Sequence, residues 1–276
     1  MRADAHIHLF EDGYPCRPIS STRSQEFESY RALRLHYGIA RALVVGYEGE
    51  ERFLGNNDYI LGLARTHPWI EPLAYLRTDK APDLGVFERF VEAGHPGAAL
   101  FLSRQAEVAW SSEDLSQIVS MAAIISINAG PDGIEKARRV IGQLGGADLL
   151  ISHLGLPGAH AATATATELR AMLRPATQLA AETNVFIKLS GLYAIDPIFP
   201  HEGAKATVEI LLAAFGPSRL LWGSDFSPAV QHLTVNEMMA LPDWLSGLTT
   251  QRQLDAIAGG NLIDVLRRID RGVTRT

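Results

Sequence analysis

The first residues with evident chemistry are two histidines near the start of the chain, in the stretch His6-Ile7-His8. They fall inside an apolar run, Ala5–Phe10, which is typical of a buried β-strand. Residues i and i+2 of a strand share one face, so both imidazoles are expected to point the same way. Such a pair favours a metal or substrate site over core packing.

Two further apolar runs end in groups of matching chemistry. Leu149–His153 ends with a third imidazole, and Leu220–Ser224 is followed directly by the carboxylate of Asp225. Three imidazoles and a carboxylate can ligate Zn²⁺, which often keeps a water in an open position. We therefore expect one site for a single divalent metal, with zinc the first choice, or the same site working without metal. Its predicted ligands are His6, His8, His153 and Asp225.

These side chains need a scaffold, and the hydrophobic pattern indicates one. Eight short, almost continuously apolar runs alternate with longer amphipathic segments, as in a parallel sheet covered by helices on both faces. Eight strand–helix units favour a (β/α)8 TIM barrel, whose active site lies at the carboxyl ends of its strands. An open doubly wound sheet is the alternative, but no GxGxxG follows the first strand.

The predicted strands are Ala5–Phe10, Ala42–Gly46, Ile70–Leu76, Gly97–Leu102, Ala123–Asn128, Leu149–His153, Val185–Ser190 and Leu220–Ser224. The predicted helices are Glu26–Tyr37, Asn57–Thr66, Leu84–Ala93, Ser112–Met121, Gly133–Leu144, Thr167–Thr183, Gly203–Phe215 and Gln251–Ile269. No linker-like segment interrupts this pattern, so we expect one domain over residues 1–276.

Composition and charge limit the function classes. Lys and Arg number 25 against 31 Asp and Glu, and a net charge of −6 disfavours a nucleic-acid partner. The single cysteine, Cys16, excludes an internal disulfide. No run approaches the length of a membrane span, and the first residues lack the apolar region of a signal peptide. We expect a cytoplasmic protein with a small-molecule substrate, with a homo-oligomer left open.

Six short motifs carry a resemblance to a known family. They are Asp4-Ala-His-Ile-His-Leu, Asn57-Asp-Tyr-Ile-Leu, Ile151-Ser-His-Leu-Gly, Ile187-Lys-Leu-Ser-Gly, Leu221-Trp-Gly-Ser-Asp and Gly259-Gly-Asn-Leu. In this order the chain resembles the amidohydrolase superfamily, in particular the amidohydrolase-related group with 2-pyrone-4,6-dicarboxylate lactonase and sugar lactonases. The resemblance implies hydrolysis or C–C cleavage of small acids, esters and lactones. It also implies that His6, His8 and His153 bind metal or the substrate carbonyl, and that Asp225 is the general base.

The chain departs from that pattern at three positions. Asn128 ends the fifth strand where relatives with two metals carry His, Glu or carboxylated Lys, so a two-metal site is not expected. Ala99 and Ala194 stand where lactonases of acidic substrates tend to carry arginine. Arg104, directly after the fourth strand, is the candidate to bind a substrate carboxylate, because guanidinium binds carboxylate bidentately.

Three further residues are candidates for substrate binding, each with a structural alternative. Lys188 could bind an anionic group or form a buried ion pair that tightens the barrel, and Tyr193 could donate its phenol or pack as a lid. Asn128 could face the substrate or satisfy a backbone group. The loop histidines His160, His201 and His232 are expected to be structural or exposed.

Three functions remain open at this stage. The first is a hydrolase of a small lactone or ester, with water activated by Asp225 and the carbonyl polarised by the His cluster, where His153 is the catalytic imidazole. The second is a metal-dependent non-oxidative decarboxylase of a small aromatic or unsaturated acid. The third is a barrel that binds a ligand without catalysis.

Overall fold

Eight parallel strands lie side by side in chain order and curve into a barrel surrounded by helices. This architecture comes from a computed structural model, which describes residues 1–14, 25–102 and 107–270. The predicted (β/α)8 fold is confirmed. The strands are β1 Arg2–Ile7, β2 Ile39–Val45, β3 Ile70–Tyr75, β4 Gly97–Leu102, β5 Ile124–Ala129, β6 Asp148–Ile151, β7 Val185–Leu189 and β8 Leu220–Trp222.

The helices alternate with the strands, and several carry sequence-encoded caps. Ser111, Thr165, Thr234 and Thr250 each form a capping box at the start of a helix, satisfying two backbone amides reciprocally. The helices are α1 Glu26–His36, α2 Asn56–Ala64, α3 Leu84–Glu92, α4 Ser112–Met121, α5 Pro131–Lys136, α6 Arg138–Gln143, α7 Ala166–Gln178, α8 Lys205–Phe215, α9 Val235–Met239, α10 Gln251–Asp255 and α11 Asn261–Asp270.

The barrel is closed between its first and last strands by residues just beyond β8. Asp225 N donates to His6 O at 2.9 Å, and His8 N donates to Phe226 O. Ile7 and Phe226 form a parallel bridge at the same place. The seam between β1 and β8 therefore consists of the segments that carry three of the four predicted ligands.

The core has two parts, one outside the barrel and one inside. The larger cluster packs between strands and helices. The inner cluster fills the barrel and also contains Leu262, Val265 and Leu266 of α11. Arg268 of α11 pairs with Asp148 at the start of β6, at 2.6 Å, so α11 covers the amino end of the barrel. The carboxyl end, called the mouth below, is where the inner side chains become polar.

A β-bulge in β1 sets the direction of the histidine pair. Asp4 aligns with Ala42 and Ile7 with Val44, so three steps of β1 oppose two of β2. Ala5 belongs to the inner cluster, and the next residue, His6, also faces inward. An extra residue of this kind shifts the in–out alternation by one position. Without it, the alternation that places Ala3 and Ala5 inside would turn His6 and His8 toward the helices.

Several predicted boundaries differ from the observed ones. The helix predicted over Gly133–Leu144 is two helices, α5 and α6, which meet at Ala137. The helix predicted over Gln251–Ile269 is interrupted by a π-turn at Ala256–Gly260. At that turn, a Cβ on Gly259 would lie 2.6 Å from the backbone carbon of Arg2, so close packing against β1 requires glycine there. Among the described residues, no helix combines the length and apolar character needed to cross a bilayer.

Candidate active site

The four predicted ligands meet at the mouth of the barrel, and all four are buried. His6 Nε2 lies 3.2 Å from His8 Nε2 and 3.7 Å from Asp225 Oδ1. His153 Nδ1 lies 3.8 Å from Asp225 Oδ2, and the His6 and His153 ring centroids are 4.4 Å apart. The structure thus brings together side chains from the ends of β1, β6 and β8, as strand alternation and barrel topology predict.

Two of these residues hold an uncommon backbone conformation. His153 and Asp225 have φ values of 52° and 59°, in the left-handed region that non-glycine residues rarely adopt. Neighbouring glycines leave room for the side chains. A Cβ on Gly191 would lie 2.6 Å from His153 Nδ1, and one on Gly223 would lie 2.9 Å from His6 Cβ. The small residues near the strand ends are therefore needed for the close approach of the imidazoles.

Asp4 anchors the site although sequence reasoning did not assign it a role. Its Oδ1 accepts from His6 N at 3.1 Å and from Ser224 N at 2.9 Å, while Oδ2 accepts from Tyr30 OH at 2.9 Å. It thereby satisfies the amide that follows the bulge and ties β1 to the segment after β8. The available sequence signal was its place two residues before His6, in the first of the six motifs.

The hydrogen bonds of His8 settle which of its nitrogens carries the proton. Nδ1 lies 2.8 Å from Val45 O, and a carbonyl oxygen can only accept. The neutral ring therefore carries its proton on Nδ1 and presents the Nε2 lone pair to the mouth. A carbonyl partner of this kind is the usual support for a histidine that ligates metal.

Lys188 lies behind His6, completely buried, rather than in the mouth. Its Nζ donates to Ser126 Oγ at 2.7 Å and lies 3.3 Å from His6 Nδ1. As an ammonium it donates to Nδ1, which puts the His6 proton on Nε2 and directs that N–H toward His8 Nε2. The hydrogen bonds then form a chain in which Lys188 Nζ donates to His6 Nδ1, His6 Nε2 donates to His8 Nε2, and His8 Nδ1 donates to Val45 O.

Burial dominates the electrostatics of the cluster. It lowers the pKa of His6 well below its usual value, with Lys188 adding to the effect, and it lowers the pKa of His153 to about 3. Burial raises the pKa of Asp225 to about 6, opposed by the hydrogen bond from Tyr193. It lowers the pKa of Lys188 to about 7, opposed by Asp4 and Asp225. At neutral pH the imidazoles are uncharged and Asp225 is largely ionised.

The donor set fits one divalent cation. Ligand atoms of His6, His153 and Asp225 lie within 4.8 Å of one another, and His8 Nε2 adjoins them. Neutral imidazoles and a carboxylate are ligands that Zn²⁺ prefers. Among the described residues, this is the one cluster of three such groups. Lys188 works against metal binding, because ligation through His6 Nε2 moves the ring proton to Nδ1, where it faces the ammonium.

The remaining predicted residues fall in different places. Tyr193 OH donates to Asp225 Oδ2 at 2.6 Å, and its ring stacks on the exposed His232 at 4.7 Å between centroids. Asn128 is half-buried near the end of β5, two residues after the inward-facing Ser126. Arg104 lies outside the described residues. Of the other loop histidines, His160 is exposed and His201 is buried, with Nδ1 2.7 Å from Asp196 O.

Solved structures of low sequence identity share this fold. An amidohydrolase from Burkholderia multivorans with bound zinc has a TM-score of 0.74 at 20% identity, covering 96% of this chain and 98% of that chain. A Pseudomonas putida protein assigned as a 2-pyrone-4,6-dicarboxylic acid hydrolase has a TM-score of 0.71 at 19% identity, covering 96% of each chain. A 2,6-dihydroxybenzoate decarboxylase in complex with 2,6-dihydroxybenzoate has a TM-score of 0.59 at 11% identity, covering 96% of this chain and 98% of that chain. At these identities the likeness shows the fold alone, and the curated proteins contain no match to this chain.

The family is shown by the sequence itself. The family model described as Amidohydrolase matches residues 3–268, a span that contains both ends of the seam and every residue of the histidine–aspartate cluster. The resemblance carried by the six motifs is thereby confirmed, and the chain belongs to the amidohydrolase family.

Proposed function

We propose that this protein hydrolyses a small lactone or related ester at the histidine–aspartate cluster. Family membership supports an enzyme of hydrolase type. The observation that carries the proposal is a buried carboxylate, Asp225, with a pKa raised to about 6, held within 4 Å of two neutral imidazoles. A general base with a pKa near the working pH is both deprotonated and basic enough to accept a proton.

The proposed reaction uses each group according to its protonation state. In the proposed complex the substrate carbonyl accepts from the Nε2–H of His6, taking the place of His8 Nε2, the acceptor that lies 3.2 Å away in the structure. Asp225 accepts a proton from water as the water oxygen bonds to the carbonyl carbon. When the ring C–O bond breaks, the protonated Asp225 returns the proton to the leaving oxygen. Buried, fixed donors of this kind stabilise the developing oxyanion more than water does.

A divalent metal is compatible with the same residues. His6, His8, His153 and Asp225 would hold it. A bound metal would supply Lewis-acid polarisation of the carbonyl and lower the pKa of water. Tyr193 would still orient the Asp225 carboxylate, to which it donates a hydrogen bond from the segment after β7.

The substitution Asp225→Asn tests the proposal directly. Asn is nearly isosteric but cannot accept the proton, so kcat for lactone opening should fall by about 10²- to 10⁴-fold while the thermal unfolding curve stays close to wild type. Asp58→Asn is the matched control, since Asp58 is exposed and pairs with Arg89 on the outer surface. If Asp225→Asn keeps more than about a tenth of the wild-type kcat, the base lies elsewhere.

A second candidate is metal-dependent decarboxylation of a planar aromatic acid. The favouring observation is Phe10, whose ring stacks on His8 with centroids 5.7 Å apart and planes 6° apart, which makes this side of the cluster aromatic. A structure of the same fold is a 2,6-dihydroxybenzoate decarboxylase. Release of CO₂ from 2,6-dihydroxybenzoate by the zinc-loaded protein, with no opening of any lactone, would favour this candidate over hydrolysis.

A further inference from the structure

One side of the mouth is formed by a continuous group of aromatic side chains, which we call the aromatic wall. Its rings come from the ends of β3 and β4 and from the segments that follow β1 and β2. Tyr47 lies 4.8 Å from Phe101 and 5.5 Å from Tyr75 between ring centroids. Phe53 contacts both neighbours, with its ring centroid 5.6 Å from that of Tyr47 and 4.2 Å from that of Phe10. The wall consists of Phe10, Tyr14, Tyr47, Phe53, Tyr75 and Phe101.

The wall faces the space next to the catalytic cluster. Tyr47, Tyr75 and Phe101 each follow an inner-cluster residue by two positions, and Phe101 packs against that cluster. Strand alternation therefore directs Tyr75 and Phe101 into the mouth, and Tyr47, just beyond β2, contacts both rings. All three residues are half-buried, so none is sealed inside the core. Phe10, at the other end of the wall, stacks on His8.

Among the residues that the structure describes, the charges near the wall do not favour recognition of an anion. Arg77 binds Asp79 through two hydrogen bonds, at 2.9 and 2.6 Å. Arg52 pairs with Glu50 at 2.6 Å while its guanidinium lies 4.8 Å from the centre of the Phe53 ring. Among the described residues, both arginines beside the wall are thus already paired with carboxylates.

A sugar ring could pack its C–H face on these rings, but the wall supplies few partners for its polar groups. Its hydroxyl groups need several donors and acceptors, and groups left unpaired on binding reduce affinity. The wall offers three phenylalanine rings, and its polar groups are the three tyrosine hydroxyls. Flat aromatic ligands instead gain from offset or edge-to-face contacts with such rings.

We propose that the aromatic wall binds a planar aromatic ring of the substrate, so that the preferred substrate is an aryl-bearing lactone or ester rather than a sugar lactone. The proposal rests on the hydrolase function above for its reacting group, but ring binding itself does not require turnover. The two can therefore be tested separately.

The turnover test compares 3,4-dihydrocoumarin with δ-valerolactone, two six-membered lactones that differ by a fused benzene ring, and with glucono-δ-lactone. Wild type should prefer dihydrocoumarin over both in kcat/KM, but its phenoxide is also the better leaving group, so the diagnostic result is the change of this preference in variants of the wall. Phe101→Leu and Tyr47→Leu keep apolar volume but remove a ring, and each should lower that preference over δ-valerolactone by about tenfold, which corresponds to about 1.4 kcal/mol. Tyr37→Ala, a half-buried aromatic of the loop after α1, is the control and should leave the preference unchanged.

The binding test uses the corresponding lactams, 3,4-dihydroquinolin-2-one and piperidin-2-one, with titration calorimetry. The aryl lactam should bind wild type at least about tenfold more tightly, and the two leucine variants should lose most of that difference. Equal binding of the two lactams to wild type would overturn the wall as a ring site even if lactones are opened. If wild type opens no lactone yet binds the aryl lactam selectively, the proposed hydrolysis fails and the ring site stands. A preference for glucono-δ-lactone would overturn the inferred substrate class.

Discussion

At the scale of single residues, Tyr193 controls the base that the proposed mechanism requires. Its hydroxyl donates to Asp225 Oδ2 at 2.6 Å, and this bond lowers the pKa that burial raises to about 6. A hydrogen bond to a carboxylate stabilises the charged form, so its loss raises the pKa further. The phenol itself stays protonated, because burial and Asp225 raise the pKa of Tyr193.

We therefore predict that Tyr193→Phe moves the acid limb of the pH–rate profile. In wild type, kcat/KM should rise with pH through a midpoint near 6, because only the ionised Asp225 accepts a proton. In the variant the midpoint should lie at higher pH, so the loss of rate is larger at pH 6 than at pH 8. Stacking on His232 is retained, since the ring is unchanged. A uniform loss at all pH values would assign Tyr193 a role other than tuning Asp225.

Lys188 leads to a prediction about metal affinity. Metal ligation by His6 Nε2 competes with the Lys188 ammonium at Nδ1, 3.3 Å away. Metal ligation favours the neutral form of Lys188. With a pKa of about 7, Lys188 is neutral in about a tenth of the molecules at pH 6 and in about half at pH 7. Wild-type zinc affinity should therefore rise with pH through about 7.

The variant Lys188→Met should bind zinc about tenfold more tightly than wild type at pH 6 and about twofold more tightly at pH 7. Competition titration against a chelator measures this without any assay of activity. Lys80→Met is the control, because Lys80 is exposed and far along the sequence from the cluster. A variant that binds zinc with the same pH dependence as wild type would show that the ammonium does not oppose the metal.

At the scale of elements, α1 holds the loop that follows β1. The buried Glu26 of its first turn accepts from Phe10 N at 2.9 Å and from Tyr14 N at 2.6 Å. A helix thus fixes the start of the aromatic wall and, through Phe10, the ring that stacks on His8. Acidic residues are also favourable in the first turn of a helix.

We predict that Glu26→Ala lowers the free energy of unfolding by about 1–3 kcal/mol, because two backbone amides lose their acceptor. It should also lower kcat/KM, since Phe10 is no longer fixed beside the cluster. Urea unfolding and steady-state kinetics measure the two effects. Glu28→Ala, an exposed position on the same helix that pairs with Arg31, should change stability by less than about 0.5 kcal/mol. Equal effects of the two substitutions would contradict the role assigned to Glu26.

The strands show what the sequence can and cannot predict about the site. Two-residue alternation correctly predicts that His6 and His8 share a face, and strand ends correctly place His153 and Asp225 at the mouth. The bulge before His6 has no pattern of its own, because it depends on pairing with β2 and on the Asp4 carboxylate. The position of Lys188 behind His6 likewise depends on the packing of β5, β6 and β7.

At the scale of the whole molecule, the barrel was predictable because eight buried strands repeat a pattern that only a closed parallel sheet satisfies without edges. The interruptions of the helices were not. Periodicity runs through Ala137 and through Gly259, where the structure interrupts each helix, and at Gly259 the backbone packs closely against β1. Likewise, propensity does not show that α11 covers the end of the barrel; its contacts with inner-cluster residues do.

Net charge gives a prediction for substrate choice. The chain carries −6, Ala99 lies inside the barrel, and Ala194 is exposed without a charge to offer. We predict that 2-pyrone-4,6-dicarboxylate is opened more slowly than unsubstituted 2-pyrone. Added salt should raise the rate at which the dianion is opened and leave the rate for the neutral 2-pyrone unchanged, because screening weakens the repulsion between like charges. Faster opening of the dianion at low salt would instead show a cation at the mouth that binds its carboxylates.

Ligand binding at the site is thermodynamically linked to opening of the barrel at the seam between β1 and β8. The amides of His8 and Asp225 are bonded across it, and the Asp4 carboxylate bridges the amides of His6 and Ser224. A ligand that touches both His6 and Asp225 fastens the first strand to the last, and at a hundred times its Kd it adds about 2.7 kcal/mol against opening. Amide hydrogen exchange through this opening should therefore slow by the factor 1 + [L]/Kd at these four positions. Exchange rates in the buried pair β4–β5, on the far side of the barrel, should not change. Exchange at the seam would therefore report that a ligand occupies the site before any substrate is known.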